Sequence, residues 1–250
     1  MSGVLTGKVA LVTGAGKNIG RAIALMLARD GAAVVVNGRS DRAAIDAVVG
    51  EIRALGGQAV AHLADVSDPA AVARIVQQVA ATLGGIDIAV ANAGLRRQTA
   101  FLDISLAEWR EILAVALDGA FILAQAVVPH MIARGGGAIV GLSGISTHVG
   151  TPNRAHVSVS KAGLEGLMRA LAVELAPHGI RCNCVAPGAV ETERGASAGA
   201  LPPQLHAGGN PLGRKASVEE IAAVVRMLVG PEGGSITGQT LHVNGGAYLT

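Results

Sequence analysis

Short β-branched runs recur along this chain, each unalternated, as strands buried on both faces are, and each followed by a longer stretch with apolar residues at helical spacing. The first run is Val9–Val12; others are 33–37, 58–63, 86–91, 138–142, 180–186 and Thr240–Val243. Between them, Ile19, Ile23, Met26 and Leu27 mark a first helix, and residues 41–55 a second that Asp41 or Ser40 can cap. Asp68-Pro69 opens a third, with proline at a first-turn position. Leu106, Trp109, Leu113, Leu117 and Phe121 fall on one stripe of a long helical region that continues towards Met131 and ends at glycines 135–137. A second long helix carries Val157, Lys161, Leu164, Met168 and Leu171 on one face, and Ser217-Val218-Glu219-Glu220 is a capping-box start for the last. About seven strands alternating with helices predict an α/β fold: an open, doubly wound parallel sheet with helices on both faces and a ligand beyond the carboxyl ends of its strands.

The turn after the first strand narrows the ligand. Thr13-Gly14-Ala15-Gly16-Lys17-Asn18-Ile19-Gly20 places glycines where a helix begins, and a helix N-terminus offers backbone N–H groups and the positive end of a dipole. A phosphate is the natural guest; a glycine-rich turn that binds nothing is the alternative. The turns at 14–20, 38–40, 65–66, 92–94, 143–148 and 187–188 all fall at the same sheet edge, so six loops converge on one crevice.

Composition sets outer bounds. A length of 250 residues gives a prior of about 1.7 domains, but no linker is visible, and residues 1–250 are read as one domain with a lid-like loop near 191–213. Half the residues are hydrophobic and 15% charged, enough for a large core; with two Phe, one Trp and one Tyr, that core must be aliphatic. A net charge of +2 with no cationic cluster argues against nucleic acid and membrane surfaces as partners. Cys182 and Cys184, expected on opposite faces of one strand and unable to bridge, fit a reduced, cytoplasmic setting. The opening residues have no signal-peptide architecture, and no apolar run spans a bilayer without glycine or charge.

Taken together and in order, the 13–20 turn, Asp65-Val66, Asn92-Ala93-Gly94, Ser158-Val159-Ser160-Lys161, Pro187-Gly188 with Thr192, and Val243-Asn244-Gly245-Gly246 resemble the short-chain dehydrogenase/reductase family over essentially the whole chain. The resemblance implies a Rossmann-type fold, an NAD(P) cofactor, carbonyl/alcohol redox chemistry on a small molecule, and a dimer or tetramer assembled through the long helices. It also implies that Thr13, Gly14, Gly16, Lys17, Asn18, Ile19, Gly20, Arg39, Asp65, Val66, Asn92, Ala93, Gly94, Lys161, Pro187, Gly188 and Thr192 hold the cofactor. An acidic residue ending the second strand would repel a 2′-phosphate, but here that end is Asn37-Gly38-Arg39, and Arg39 with Lys17 favours NADP over NAD. Both could instead be solvated loop cations. Asn18 departs from the family by standing where glycine is usual; asparagine is the non-glycine residue best able to take positive φ.

The chemistry departs further. The family uses a tyrosine acid/base, a lysine one helical turn later, a serine that orients the substrate oxygen, and an asparagine that holds a relay water. In this sequence the tyrosine position is Val157, the serine position aligns with Gly144, and the asparagine position is Ala116. Lys161 remains, with Ser143 adjacent to Gly144 as a second catalytic candidate. Tyr248, the only tyrosine, lies at the far C-terminal end, so realignment cannot supply the acid. Loss of a general acid costs about 10²–10⁴-fold. His156, His148 and His206 are possible substitutes or simply surface and loop histidines, although His156 points about 100° from Val157 on a helix. Lys161 could otherwise snorkel at its helix edge, and Glu191 and Glu193 read as solvated. Three functions stay open: an NADP(H)-dependent oxidoreductase with a non-standard site; a non-redox enzyme or cofactor-binding pseudoenzyme, the latter a partner in a mixed oligomer with an active family member; and, weakest, a structural scaffold without a ligand, which would leave Lys17, Arg39, Asp65, Asn92 and Thr192 no shared reason to meet at one crevice.

Overall fold

The computed structural model describes residues 3–193 and 210–250. In chain order its elements are β1 (Val9–Val12), α1 (Asn18–Arg29), β2 (Ala33–Gly38), α2 (Arg42–Ala54), β3 (Ala59–Leu63), α3 (Pro69–Leu83), β4 (Ile88–Ala91), α4 (Leu106–Leu113), α5 (Gly119–Ala133), β5 (Gly137–Leu142), α6 (Ser146–Val149), α7 (Ala155–Glu174), β6 (Ile180–Pro187), α8 (Val218–Val229) and β7 (Thr240–Val243). The strands form one sheet in the order β3-β2-β1-β4-β5-β6-β7, and each neighbouring pair is parallel. This is the doubly wound, Rossmann-type α/β architecture that the alternation predicts. The chain builds outward from β1 to β3, returns, and builds the other way from β4. Strand order therefore reverses between β1 and β4, where the loops part and leave a crevice.

Both faces of the sheet are buried, which is why its strands lack polar alternation. Ala10 and Val12 of β1 join one core cluster with Ile23, Leu27, Ile45 and Val225, while Val9 and Leu11 join the other with Val76, Leu123, Leu164 and Met168. The helix starts are capped by their own sequence. Asp41 accepts from the Ala44 N–H at 3.0 Å, Asp68 from those of Ala70 and Ala71, and Ser217 and Glu220 complete a reciprocal capping box.

Two expectations are corrected. Cys182 and Cys184 do not face opposite sides: both lie in the same core cluster, buried and free, because residues two apart on a strand share a face. The long helical region buries its Leu106–Phe121 stripe only in part, since Leu106 and Phe121 are exposed, Trp109, Leu113 and Leu117 are half-buried, and the fully buried residues are Ile112, Ala116, Gly119, Ala120, Leu123, Ala124, Val127 and Met131. Alanines line the contact because the helix lies close to its neighbours. A π-helical turn at Ala114–Asp118 also adds a residue to the repeat and rotates the helical residues beyond it. The run Leu106–Ala133 is long and apolar enough to cross a membrane by length and composition, yet its buried side packs on α3, α7 and β4. Residues 194–209 of the expected lid lie outside the described residues.

Asp87, immediately before β4, is buried and ties three elements together. Its carboxylate accepts from the Val9 N–H at 2.8 Å, Lys8 Nζ at 3.2 Å and Arg134 Nε at 2.8 Å. Asp87→Ala should lower the unfolding free energy by roughly 2–4 kcal/mol, because a buried N–H loses its acceptor while both cations keep access to water. Urea denaturation checks this; a loss below about 0.5 kcal/mol would contradict it.

Candidate active site

The crevice between β1 and β4 is a cavity of about 520 Å³. One end is formed by the turn into α1. Lys17 is the N-cap residue but supplies no side-chain cap, so the first N–H groups of the helix have no capping side chain, and Lys17, Asn18, Ile19 and Gly20 line the cavity. Asn18 adopts φ 51°, the left-handed conformation expected of it in place of glycine. Its amide also grips the strand of chain above, donating to the Glu193 carbonyl at 3.0 Å and accepting from the Glu193 N–H at 2.9 Å. Gly20 is required for packing: a Cβ there would stand 2.3 Å from the Gly14 carbonyl oxygen.

Not every residue of the motif faces the cavity. Thr13 is buried beneath the turn, where its hydroxyl oxygen accepts from the N–H groups of Asn92 and Ala93 at 3.0 and 3.1 Å. Asn92 in turn donates its amide to the carbonyls of Thr13 and Gly14, at 2.9 and 3.0 Å. Gly16 stands against α2, where a Cβ would meet Ala44 at 3.2 Å. These residues shape the turn; Gly14, Lys17, Arg39, Asp65, Val66, Asn92, Ala93 and Gly94 form its wall. Asp65 is held by the Ser67 hydroxyl and N–H, at 2.7 and 3.0 Å, which keep its pKa below the usual carboxylate range. Pro187, Gly188 and Thr192 line the far wall, and Arg96 donates to the Thr192 hydroxyl at 3.3 Å.

The other end of the cavity holds the polar groups. Lys161 donates its Nζ proton to the Leu142 carbonyl at 2.5 Å, and burial, followed by the charge of Arg96, brings its pKa from 10.5 down to about 8. Around it the structure assembles the departures seen in the sequence. Val157 and Gly144 line the cavity beside Lys161. A Cβ on Gly94 would lie 3.4 Å from Lys161 Nζ and 4.0 Å from Ala116 Cβ, so Ala116 borders the same space. Ser143 also lines the wall, and its hydroxyl donates to the buried carboxylate of Glu165.

The histidines separate clearly. His156 is fully buried and turned away from the cavity, with Nε2 donating to Glu108 at 3.0 Å and Nδ1 accepting the Val157 N–H at 3.0 Å. His148 donates from Nε2 to Glu165 at 3.0 Å; His206 lies outside the described residues. Sequence reasoning missed Glu165, Arg96 and Arg154. Glu165 carried a signal, standing one turn after Lys161 on the same apolar face, whereas Arg96 and Arg154 sit in loops whose sequence has no periodicity to break.

The donor set fits a dinucleotide phosphate: helix N–H groups, Lys17 and Arg39 share one wall, and the turn is tight enough for backbone to approach an anion. Comparison with known proteins agrees. A family model described as enoyl-(acyl carrier protein) reductase matches residues 14–248. A 3-oxoacyl-[acyl-carrier-protein] reductase of Synechocystis is 38% identical over 246 residues, 98% of each chain, and an L-rhamnose 1-dehydrogenase (NAD(P)(+)) of Sphingomonas is 37% identical over 249 residues, also 98% of each. A short-chain dehydrogenase of Burkholderia cenocepacia, crystallised in complex with NADP, superposes with a TM-score of 0.89 at 37% identity, covering 97% of this chain and 98% of its own. The sheet order, the phosphate turn and these full-length matches together place the chain in the short-chain dehydrogenase/reductase family.

Proposed function

We propose that this protein binds NADP(H) in the β1/β4 crevice and interconverts a small-molecule carbonyl and alcohol there, with a proton carrier other than tyrosine. The observation that carries this reading is the continuity of one cavity from the α1 N-terminus, with Lys17 and Arg39, to Lys161 and Ser143. The N–H groups of Asn18 and Ile19 would hold the pyrophosphate, Lys17 and Arg39 the 2′-phosphate, Asp65 and Val66 the adenine end, and Asn92, Ala93, Gly94, Pro187, Gly188 and Thr192 the nicotinamide half. When bound, the nicotinamide gives or takes the hydride. Lys161, fixed by the Leu142 carbonyl, supplies a cation for the ribose hydroxyls below pH 8. Ser143 presents a hydroxyl beside Gly144, and Val157 contributes an apolar wall that keeps water from the reacting carbonyl.

The exposed apolar residues Phe121 on α5 and Val159 and Val173 on α7 support a homo-oligomer built on the long helices. Val157, Gly144 and Ala116 favour a second reading: a cofactor-binding protein without turnover, paired with an active family member.

Calorimetry separates the cofactors. Lys17→Ala combined with Arg39→Ala should weaken NADPH binding by about 10–100-fold and NADH binding by less than about threefold. Equal losses for both would contradict a 2′-phosphate site.

Turnover separates the two readings. With a panel of carbonyls, the wild type should oxidise NADPH above a Lys161→Ala control. A silent wild type, alongside a Val157→Tyr, Gly144→Ser, Ala116→Asn variant that gains activity by about 10²-fold, would instead identify an emptied site on an intact scaffold.

A further inference from the structure

Glu165 is a second charged residue on the apolar face of α7, one turn beyond Lys161, and the chemistry above assigns it nothing. Its side chain is 6% exposed. A carboxylate so placed costs several kcal/mol unless donors compensate it. Here two donate to Oε1, the Ser143 hydroxyl and His148 Nε2 at 3.0 Å, while the Thr147 hydroxyl, which donates to the Gly144 carbonyl at 3.0 Å, lies 3.4 Å away. At one end of this line, Ser143 lines the cavity, its N–H fixed on the Val185 carbonyl at 2.8 Å. At the other, the His148 side chain keeps 20% of its surface in solvent, with its ring centroid 4.6 Å from that of His242 and 5.0 Å from that of Tyr248. A hydroxyl, a carboxylate and an imidazole thus connect the cavity to water by hydrogen bonds alone. Lys161 is not part of that line, since it donates to the Leu142 carbonyl.

We propose that Ser143, Glu165 and His148 form a proton path between solvent and the substrate oxygen, with Ser143 the catalytic donor and Glu165 and His148 positioning residues that act through it. The proposal rests on the oxidoreductase reading. In reduction, the carbonyl carbon gains a hydride from NADPH and the π electron pair moves onto oxygen. That oxygen takes the Ser143 hydroxyl proton as the serine oxygen accepts the proton that Glu165 receives from the His148 imidazolium. Solvent then reprotonates His148, so one hydride and one proton enter the substrate and the chain ends unchanged. Oxidation of the alcohol runs the same line backwards.

The other titratable groups facing this line do not compete for the proton near neutral pH. Cys184 of β6, acted on also by Lys161, Arg169 and Cys182, is pushed up to about 12 by burial and then by the charge of Glu165, so it stays a thiol. His242 of β7 is pushed below 6.5 by burial and then by His148, so it stays neutral at pH 7. Tyr248 packs on both rings.

The test measures NADPH oxidation against ethyl acetoacetate, diacetyl and benzaldehyde across pH. Because the path is loaded only from an imidazolium, wild-type kcat should fall as pH rises. His148→Ala should lower kcat by about 10–100-fold with KM within about twofold, flatten that limb and regain activity with added imidazole. Ser143→Ala should lose about 10²-fold without rescue. Independently of turnover, the His148 Nε2–H proton, held by the Glu165 carboxylate, should be visible by NMR in the cofactor-free protein and should broaden into solvent exchange in Glu165→Ala. If the wild type turns over but His148→Ala keeps its pH limb or ignores imidazole, or if the Nε2–H signal is unchanged in Glu165→Ala, the path is overturned and the oxidoreductase reading stands. No wild-type oxidation of NADPH with any probe overturns that reading and the path with it.

Discussion

The side-chain amide of Asn92 holds the crevice in shape. By donating to the carbonyls of Thr13 and Gly14 it ties the end of β4 to the turn after β1, at the place where strand order reverses. The Thr13 hydroxyl returns the contact to the N–H groups of Asn92 and Ala93. With these bonds in place, the first turn of α1 faces open space and Gly20 can approach the Gly14 carbonyl closer than any side chain would allow. The cavity is therefore a consequence of sheet topology fixed by four hydrogen bonds.

The far end of the cavity obeys different physics. Two ionisable groups, Lys161 and Glu165, sit one helical turn apart on the buried face of α7, and each is kept there by specific partners. Lys161 lines the cavity, and Glu165 lies behind it, reached through Ser143, although Val157, Gly144 and Ala116 contribute no acid. Replacing a tyrosine by valine removes a proton donor from that wall; it leaves intact the lysine cation and a serine hydroxyl already committed to a carboxylate. In the function proposed above, binding and proton transfer are separable, carried by opposite ends of one cavity.

Much of this was legible in the sequence. The strand runs, the caps at Asp41 and Ser217, the helix start at Asp68-Pro69 and the convergence of six loops depend on local chemistry, and Asn18 took the positive φ that its identity allows. What escaped was set by distant contacts. The buried side of the long helix is decided by alanines that permit close packing and by a π turn, neither of which a stripe of large residues reveals. The shared face of Cys182 and Cys184 is a matter of strand periodicity and was misassigned. Glu165 broke the same apolar stripe that singled out Lys161, but its partners Ser143 and His148 come from a loop and a short helix that only the fold brings near. Asn18 shows the same limit: its conformation was readable, and its grip on Glu193 was not.

The central claim, that this crevice transfers a hydride without a tyrosine, is tested most directly by isotope. Wild-type protein incubated with NADPH deuterated at the transferring C4 position and a carbonyl panel should place deuterium on the carbinol carbon of an alcohol product, read by mass spectrometry. Tight NADPH binding with no deuterium in any product would contradict it.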